Sequence, residues 1–256
     1  MWNPCFLIPK GVRTMSIETQ LESYKAAVKE VLKNFDFTVL PSEISIRNQL
    51  VAYRNISLVL DVGANTGQYA SLLRGQGYQG RILSFEPLAA EFEQLKQNAA
   101  EDPQWDCKQL ALGSYNGSCE INRAGNSYSS SILPMLERHI INAPDSHYVG
   151  KELISIARLD SLEGEIANPH DRIYLKIDTQ GYEMEILKGA VRFLNRVSIL
   201  ELELSVVPLY ERQVLYQQMI QYLDLLDFDL VWVEKGFSEV DSGEILQFDG
   251  IFLKRA

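Results

Sequence analysis

The sequence has few cysteines, and those it has are far apart. The three cysteines of the 256-residue chain are at positions 5, 107 and 119, and no C-x-x-C pair occurs. An odd number of scattered thiols argues against a disulfide framework and is typical of proteins kept in a reducing compartment. We therefore expect reduced cysteines and a cytoplasmic protein.

Positive charge and long apolar segments are also scarce. The chain carries 24 Lys and Arg against 34 Asp and Glu, which gives a net charge of −10. Nucleic-acid-binding proteins usually present a basic surface, so we expect no nucleic-acid partner, and anionic membranes are disfavoured for the same reason. No apolar run is long enough to cross a bilayer, and we expect no membrane span.

Hydrophobic periodicity predicts an α/β domain with a helical extension before it. Apolar residues recur at helical spacing over 16–35, so we assign residues 1–55 to an N-terminal tail and helical lead-in. The apolar face of that helix either packs on the domain or forms a dimer contact. Residues 56–256 are assigned to one domain in which apolar strands alternate with helices, which predicts a Rossmann-like, mostly parallel sheet with helices on both faces.

Individual elements of this domain follow from the same patterns. We expect residues 113–170 to be largely irregular and to shape a pocket, with a short strand near 118–123, a serine-rich loop and another strand near 153–158. The predicted strands of the sheet are 57–62, 81–85, 105–112, 172–177 and 197–204, with a closing antiparallel pair at 229–234 and 247–254.

The segment after the first strand reads Asp61-Val62-Gly63-Ala64-Asn65-Thr66-Gly67. In open α/β sheets a ligand sits beyond the carboxyl ends of the strands, where Gly63 permits a sharp turn and a close backbone approach. A dinucleotide fingerprint needs G-x-G-x-x-G, but position 65 is Asn, and no Walker lysine follows. Glu86 ends the next strand, where a carboxylate can accept hydrogen bonds from ribose hydroxyls in either a nicotinamide or an adenosyl cofactor.

Several further motifs occur in a fixed order, and together they resemble the FkbM family of S-adenosylmethionine (SAM)-dependent methyltransferases over about residues 57–254. The motifs are DVGANTG (61–67), SFEP (84–87), ALG (111–113), SSS (129–131), LDSL (159–162), KIDTQGYE (176–183), ILKGA (186–190) and FDGIF (248–252). The resemblance implies a class I methyltransferase fold, SAM as cofactor, and methyl transfer to an oxygen, often on sugars or secondary metabolites.

The resemblance also implies roles for residues at matching positions. Glu86 would hold the ribose, Ala111 would lie against the adenine, and Asp178 would lie beside the methyl sulfonium. The residues expected to face the methionine portion of SAM are Asp61, Gly63, Asn65, Thr66 and Gly67.

Residues for acceptor chemistry are less clearly marked. A sugar hydroxyl is a poor nucleophile, so a general base would help, and we expect Asp178 or His147 to supply it, with Glu183 and His139 as weaker candidates. Ser129, Ser130 and Glu183 are the predicted acceptor-binding residues. Neither an H-x-x-x-H motif nor a paired-aspartate motif occurs, so we predict no metal site, although Asp178 and nearby acids could hold Mg²⁺.

Two other functions remain open from the sequence. One is an NAD(P)-dependent oxidoreductase on a similar sheet, which the missing middle glycine disfavours. The other is a non-catalytic SAM-fold binding protein. The expected partner is a small-molecule or glycan acceptor, but no residue identifies which one.

Overall fold

The computed structural model describes residues 43–255, so the helix predicted over 16–35 lies outside the described residues. The helices of the described chain are α1 (Glu43–Tyr53), α2 (Gln68–Gly75), α3 (Ala89–Ala99), α4 (Glu137–Asn142), α5 (Leu159–Ile166), α6 (Glu183–Lys188) and α7 (Tyr216–Leu225). The strands are β1 (Leu58–Val62), β2 (Arg81–Phe85), β3 (Trp105–Lys108), β4 (Ala111–Leu112), β5 (Gly117–Ala124), β6 (Tyr148–Ala157), β7 (Ile173–Ile177), β8 (Val197–Ser205), β9 (Phe228–Lys235) and β10 (Gln247–Lys254). None of these helices is both long and apolar enough to cross a membrane.

Seven strands form one twisted sheet in the order β3-β2-β1-β7-β8-β10-β9. Strands β3, β2, β1, β7 and β8 run parallel, while β10 lies antiparallel to both β8 and β9. The two central strands, LVLDV and IYLKI, are buried at every position, as expected for strands covered on both faces. The predicted Rossmann-like fold, a mostly parallel seven-stranded sheet, is confirmed.

The segment 113–170 is more regular than expected. Strands β4, β6 and β5 form a second, three-stranded sheet, in which β6 pairs parallel with β4 and antiparallel with β5. The single strand predicted over 105–112 was wrong, because it breaks between Lys108 and Ala111. Its first half, β3, pairs with β2 in the main sheet, and its second half, β4, pairs with β6 in the second sheet.

The apolar pattern over 184–194 predicts one helix, but the structure contains a shorter helix there. Helix α6 ends at Lys188, and a short 3₁₀ turn follows over Phe193–Arg196. Gly189 ends the helix because the backbone of Gly113 passes against it. A Cβ at position 189 would lie 1.9 Å from the carbonyl oxygen of Gly113.

We predict that Gly189→Ala destabilises the protein by about 2 kcal/mol or more, because the new methyl group forces two backbone segments apart. Gly164→Ala is the matched control, since Gly164 is an exposed residue of α5 and nothing lies near its Cβ position. Alanine there should be neutral or stabilise by up to about 1 kcal/mol. Urea denaturation measures both, and equal effects would contradict the close contact between residues 113 and 189.

Candidate functional site

A cavity of about 500 Å³ opens at the carboxyl ends of the parallel strands. This volume lies in the range of small-molecule and cofactor sites. The residues after β1, β2 and β7 form its floor, and the loop over 127–132 forms part of its wall. Its position is the one at which open α/β sheets bind their ligands.

The glycine turn after β1 lines one side of this cavity. The N–H groups of Gly63 and Ala64 both donate to the carbonyl oxygen of Phe85 at 3.0 Å, which ties the turn to β2. Gly63 has φ +78°, and a Cβ there would lie 1.9 Å from the carbonyl oxygen of Asp178. Only glycine fits this position, so the turn brings the ends of β1 and β7 into direct contact.

Three residues of the same motif, Asp61, Thr66 and Gly67, pack against the rest of the domain and do not line the cavity. Gly67 precedes α2, and its missing side chain leaves room for the ring of Trp105. The carbonyl oxygen of Thr66 accepts a hydrogen bond from Asn98 at 2.8 Å. Asp61 is fully buried, so the structure places these three predicted cofactor residues in structural contacts.

Glu86 directly follows the carboxyl end of β2 and lines the cavity. Its carboxylate accepts hydrogen bonds of 2.9 Å from the N–H groups of Asn65 and Leu88. Burial raises the pKa of Glu86 to about 7, although these two hydrogen bonds oppose the rise. Apolar side chains adjoin it along the wall, namely Leu88, Ala111, Leu112 and Ile121. This end of the cavity therefore combines one carboxylate with an apolar surface.

Asp178 follows β7 at the opposite end. Lys176 lies 3.4 Å from both Asp178 and Asp61. Burial alone would lower the pKa of Lys176, but these two carboxylates raise it above its usual value. The side-chain amide of Gln180 donates to Asp178 and to Glu203, at 3.1 Å in each case, and so holds two carboxylates side by side.

Glu201 on β8 anchors helix α1 to the cavity. Arg47 of that helix donates to both carboxylate oxygens of Glu201, at 2.6 Å to Oε1 and 3.1 Å to Oε2, and also donates to Glu234 at 2.6 Å. The hydroxyl groups of Tyr69 and Tyr174 donate to the same carboxylate. Burial, together with the charge on Glu201, raises the pKa of both tyrosines. Helix α1 thus contributes a residue, Arg47, to the cavity wall.

A row of carboxylates crosses the sheet beside this network. Asp249 on β10 lies directly opposite Glu203 on β8 and Glu234 on β9. Asp178 and Glu203 each come one residue after the paired Ile177 and Leu202, so they continue the same row. We call these four acids the carboxylate row. Burial and neighbouring carboxylates raise the pKa of Glu203, and burial with Asp178 and Glu201 raises that of Asp249 to about 7.

The predicted acceptor residues divide between cavity and scaffold. Ser130 lines the cavity, whereas Ser129 does not. Glu183 is buried, and its carboxylate accepts from the backbone N–H groups of Thr179 and Gly181 at 3.1 and 3.0 Å. Glu183 therefore stabilises the turn that follows Asp178.

Neither histidine that was weighed as a base lies in the cavity wall. The ring of His147 is exposed and contacts the carbonyl oxygen of Pro144 at 3.0 Å. His139 is buried in α4 against Tyr210 and Phe237, and burial lowers its pKa to about 4. Asp178 is thus the candidate base that the fold brings to the cavity.

Several lining residues carried only weak signals in the sequence. Glu201 and Glu203 alternate with leucines, which places both on one face of β8, but nothing marked that face as the cavity side. Lys176 sits in an otherwise apolar strand, and a charge there was a usable signal. Arg47 lies outside every motif, and Asp249 belongs to the FDGIF motif without any sign that it faces the cavity, so only the folded chain brings both to the site.

Comparison with known proteins identifies the family. A family model described as "Methyltransferase FkbM domain" matches residues 61–230 of this chain. The chain belongs to the FkbM methyltransferase family. The match covers the glycine turn, Glu86 and Asp178, and ends within β9, so Asp249 lies beyond it.

Individual relatives of this FkbM methyltransferase are distant. Methyltransferase 1 of Beauveria bassiana is 24% identical over 52% of this chain and 58% of its own length. Hexuronic acid methyltransferase AglP of Haloferax volcanii is 27% identical over 58% of this chain and 56% of its own length. The chain thus spans little more than half of each relative. A methyltransferase FkbM from Methylobacillus flagellatus superposes with a TM-score of 0.48 at 15% identity, covering 77% of this chain and 44% of that one.

The raised pKa of Asp249 predicts a pH-dependent stability. Between about pH 4 and 7 the unfolded chain releases this proton while the folded protein keeps it, so the stability falls as the pH rises through about 7. Asp249→Asn should therefore raise the free energy of unfolding of the ligand-free protein by about 1–3 kcal/mol at pH 8, and much less at pH 4.5.

Denaturant titration at both pH values measures this effect. Glu101→Gln is the control, because Glu101 is exposed and lies outside the cavity, and its effect should stay within about 0.5 kcal/mol. An equal gain for Asp249→Asn at pH 4.5 and pH 8 would show that charge is not its cause.

Proposed function

We propose that the protein is a SAM-dependent O-methyltransferase that acts on a hydroxyl group of a sugar, a glycan or a secondary metabolite. The observation that carries the proposal is the shared cavity, in which the Gly63 turn and Glu86 face the same space as Asp178. Membership of the FkbM methyltransferase family supports a methyl-transfer reaction. The cofactor, the oxygen acceptor and its class are our inferences.

The residues around the cavity fit the chemistry of SAM. Glu86 offers a buried carboxylate to the two ribose hydroxyls, and the apolar wall at Ala111 and Leu112 suits a flat aromatic base. The turn at Gly63 and Asn65 would hold the amino acid end. When bound, SAM supplies an electrophilic methyl group on a sulfonium sulfur.

Asp178 is the residue we assign to the acceptor hydroxyl. Its carboxylate is held between Lys176 and Gln180 and remains about one-third exposed toward the cavity. A fixed carboxylate in this place orients the hydroxyl and accepts its proton while the oxygen takes the methyl group. Bound SAM would supply the methyl group and leave as neutral S-adenosylhomocysteine, and Asp178 would hold the proton that the hydroxyl loses. Ser130 also lines the cavity, and its hydroxyl can donate a hydrogen bond to the acceptor.

A sugar acceptor is favoured by the character of the cavity and by one relative. Closely spaced carboxylates and amides are suited to binding several hydroxyl groups at once. The relative from Haloferax volcanii is a hexuronic acid methyltransferase, although the similarity covers little more than half of it. We therefore propose a carbohydrate or a comparably hydroxylated metabolite as acceptor.

We also propose a cytoplasmic location. Cys107 and Cys119 are free cysteines, both partly buried. Burial raises the pKa of each thiol, so both remain protonated and weakly reactive at neutral pH. Unpaired cysteines of this kind are typical of proteins in a reducing compartment.

Methyl transfer from radiolabelled SAM to a panel of mono- and oligosaccharides and hydroxylated metabolites tests the proposal directly. We expect label in at least one acceptor, at an ether oxygen. Saturable SAM binding without transfer to any member would instead favour a non-catalytic binding protein.

Glu86→Gln should weaken SAM binding by about 1–3 kcal/mol at pH 8, because the ribose hydroxyls lose a charged acceptor. The affinity of the unchanged protein should fall as the pH is lowered through about 7, where Glu86 takes up a proton, whereas the variant should show a flatter profile. Calorimetry measures both, with Glu93→Gln on the exposed face of α3 as the control. Unaltered SAM affinity in Glu86→Gln, or tight binding of NADH, would contradict the cofactor assignment.

Asp178→Asn should lower kcat for methyl transfer by about 10²–10⁴-fold while saturable SAM binding is kept, because the amide cannot accept the hydroxyl proton. His147→Ala should change kcat by less than about threefold, since the exposed ring lies outside the cavity wall. Single-turnover measurements on the best acceptor of the panel separate the two residues. Loss of activity in the His147 variant alone would reverse our choice of base.

A further inference from the structure

The carboxylate row costs the folded protein electrostatic energy that its own cations offset only in part. Like charges directly opposite on neighbouring strands destabilise a sheet. Here Asp249 faces Glu203 on one side and Glu234 on the other. Six acidic residues line the cavity against two basic ones, Arg47 and Lys176.

Both cations are already engaged by particular carboxylates. Arg47 pairs with Glu201 and Glu234, at 2.6 Å in each case. Lys176 is shared between Asp61 and Asp178. Neither forms an ion pair with Glu203 or Asp249, so the middle of the row lacks a positive partner among the described residues.

The two central acids also differ in their neutral partners. Glu203 accepts hydrogen bonds from the amides of Gln180 and Gln247, at 3.1 and 2.7 Å. Asp249 is partly buried, and no hydrogen bond from a described residue reaches its carboxylate. A carboxylate at a cavity wall with free lone pairs is a binding group for a donor that the ligand brings.

A purely structural role does not account for this arrangement. Arg47 needs only Glu201 and Glu234 for its pairing, and removal of the charge on Asp249 would relieve repulsion on both sides. Two adjacent acids in a cavity, one of which accepts no hydrogen bond from a described residue, are typical of a ligand site.

We propose that the middle of the carboxylate row, Glu203 and Asp249, binds the acceptor through its hydroxyl or ammonium donors and rejects acceptors with an anionic group at that point. This inference rests on the proposed function, because it concerns the acceptor half of the same cavity. It sets the acceptor class as neutral or cationic polyhydroxy compounds, such as hexoses and amino sugars, and not uronates or sugar phosphates. The relative from Haloferax volcanii therefore supports a sugar acceptor here but not its uronate group.

Three pyranosides that differ only at carbon 6 test the inference. They are methyl 6-amino-6-deoxyglucoside, methyl glucoside and methyl glucuronoside, used together with the same three compounds of the galactose series. Their dissociation constants are measured by saturation-transfer NMR at pH 8 in the presence of saturating S-adenosylhomocysteine. At this pH the alkylammonium group remains protonated and the Asp249 carboxyl is ionised.

We expect the ammonium and hydroxyl compounds of at least one series to bind, and the glucuronoside or galacturonoside to bind at least about tenfold more weakly. Asp249→Asn should shrink the preference of the ammonium compound over the hydroxyl compound by about fivefold or more. Glu101→Gln should leave every ratio unchanged. Rescue of uronate binding by Asp249→Asn would add support.

Two results would overturn the inference. One is a uronate that binds as tightly as its hydroxyl counterpart, and the other is binding of none of the six compounds while S-adenosylhomocysteine still binds. Failure of S-adenosylhomocysteine itself to bind would instead contradict the proposed function, so the two failures are distinguishable.

Discussion

The contact between Gly63 and the backbone of Asp178 is the constraint on which the site depends. Because residue 63 has no side chain, the ends of β1 and β7 meet directly, and the N–H of Asp178 donates to the carbonyl oxygen of Val62. The chain then turns sharply enough for the N–H of Asn65 to reach Glu86. One missing methyl group thus sets both the Glu86 end and the Asp178 end of the cavity.

Charged side chains on β8 and β10 form the other half of the site, around Glu201, Glu203 and Asp249. Buried ionic groups are costly unless they are paired, and the network around Glu201 meets that condition with one arginine and two tyrosines. Because Arg47 comes from α1, this network fixes the described helix against the sheet. The adjacent row at Glu203 and Asp249 is not balanced in the same way, which separates a scaffold of satisfied charges from a surface open to a ligand.

The sequence predicted what depends on local pattern. The alternation of apolar strands and helices predicted the parallel sheet, and the closing pair β9 and β10 was found where the alternation indicated it. The glycine spacing and the acid at Glu86 predicted one end of the cavity for the same reason, since strand ends in a parallel sheet share an edge.

Features that depend on long-range contact were not predictable in this way. The pattern over 105–112 gives no sign that it divides between two sheets, because each half is buried by a different partner. Glu183 was predicted to bind the acceptor, yet its carboxylate is used by the turn before α6, which a spacing argument does not reveal. Arg47 and Asp249 reach the cavity through tertiary packing alone. The domain boundary at residue 55 and a dimer contact through the 16–35 helix remain predictions.

The most direct test of the account is a crystal structure of the protein with S-adenosylhomocysteine. The account predicts that both ribose hydroxyls lie within hydrogen-bond distance of Glu86 and that the sulfur points toward Asp178, with space left beside Asp249. Binding of the adenosyl group elsewhere, or with its ribose away from Glu86, would contradict the central claim that this cavity is the methyl-transfer site.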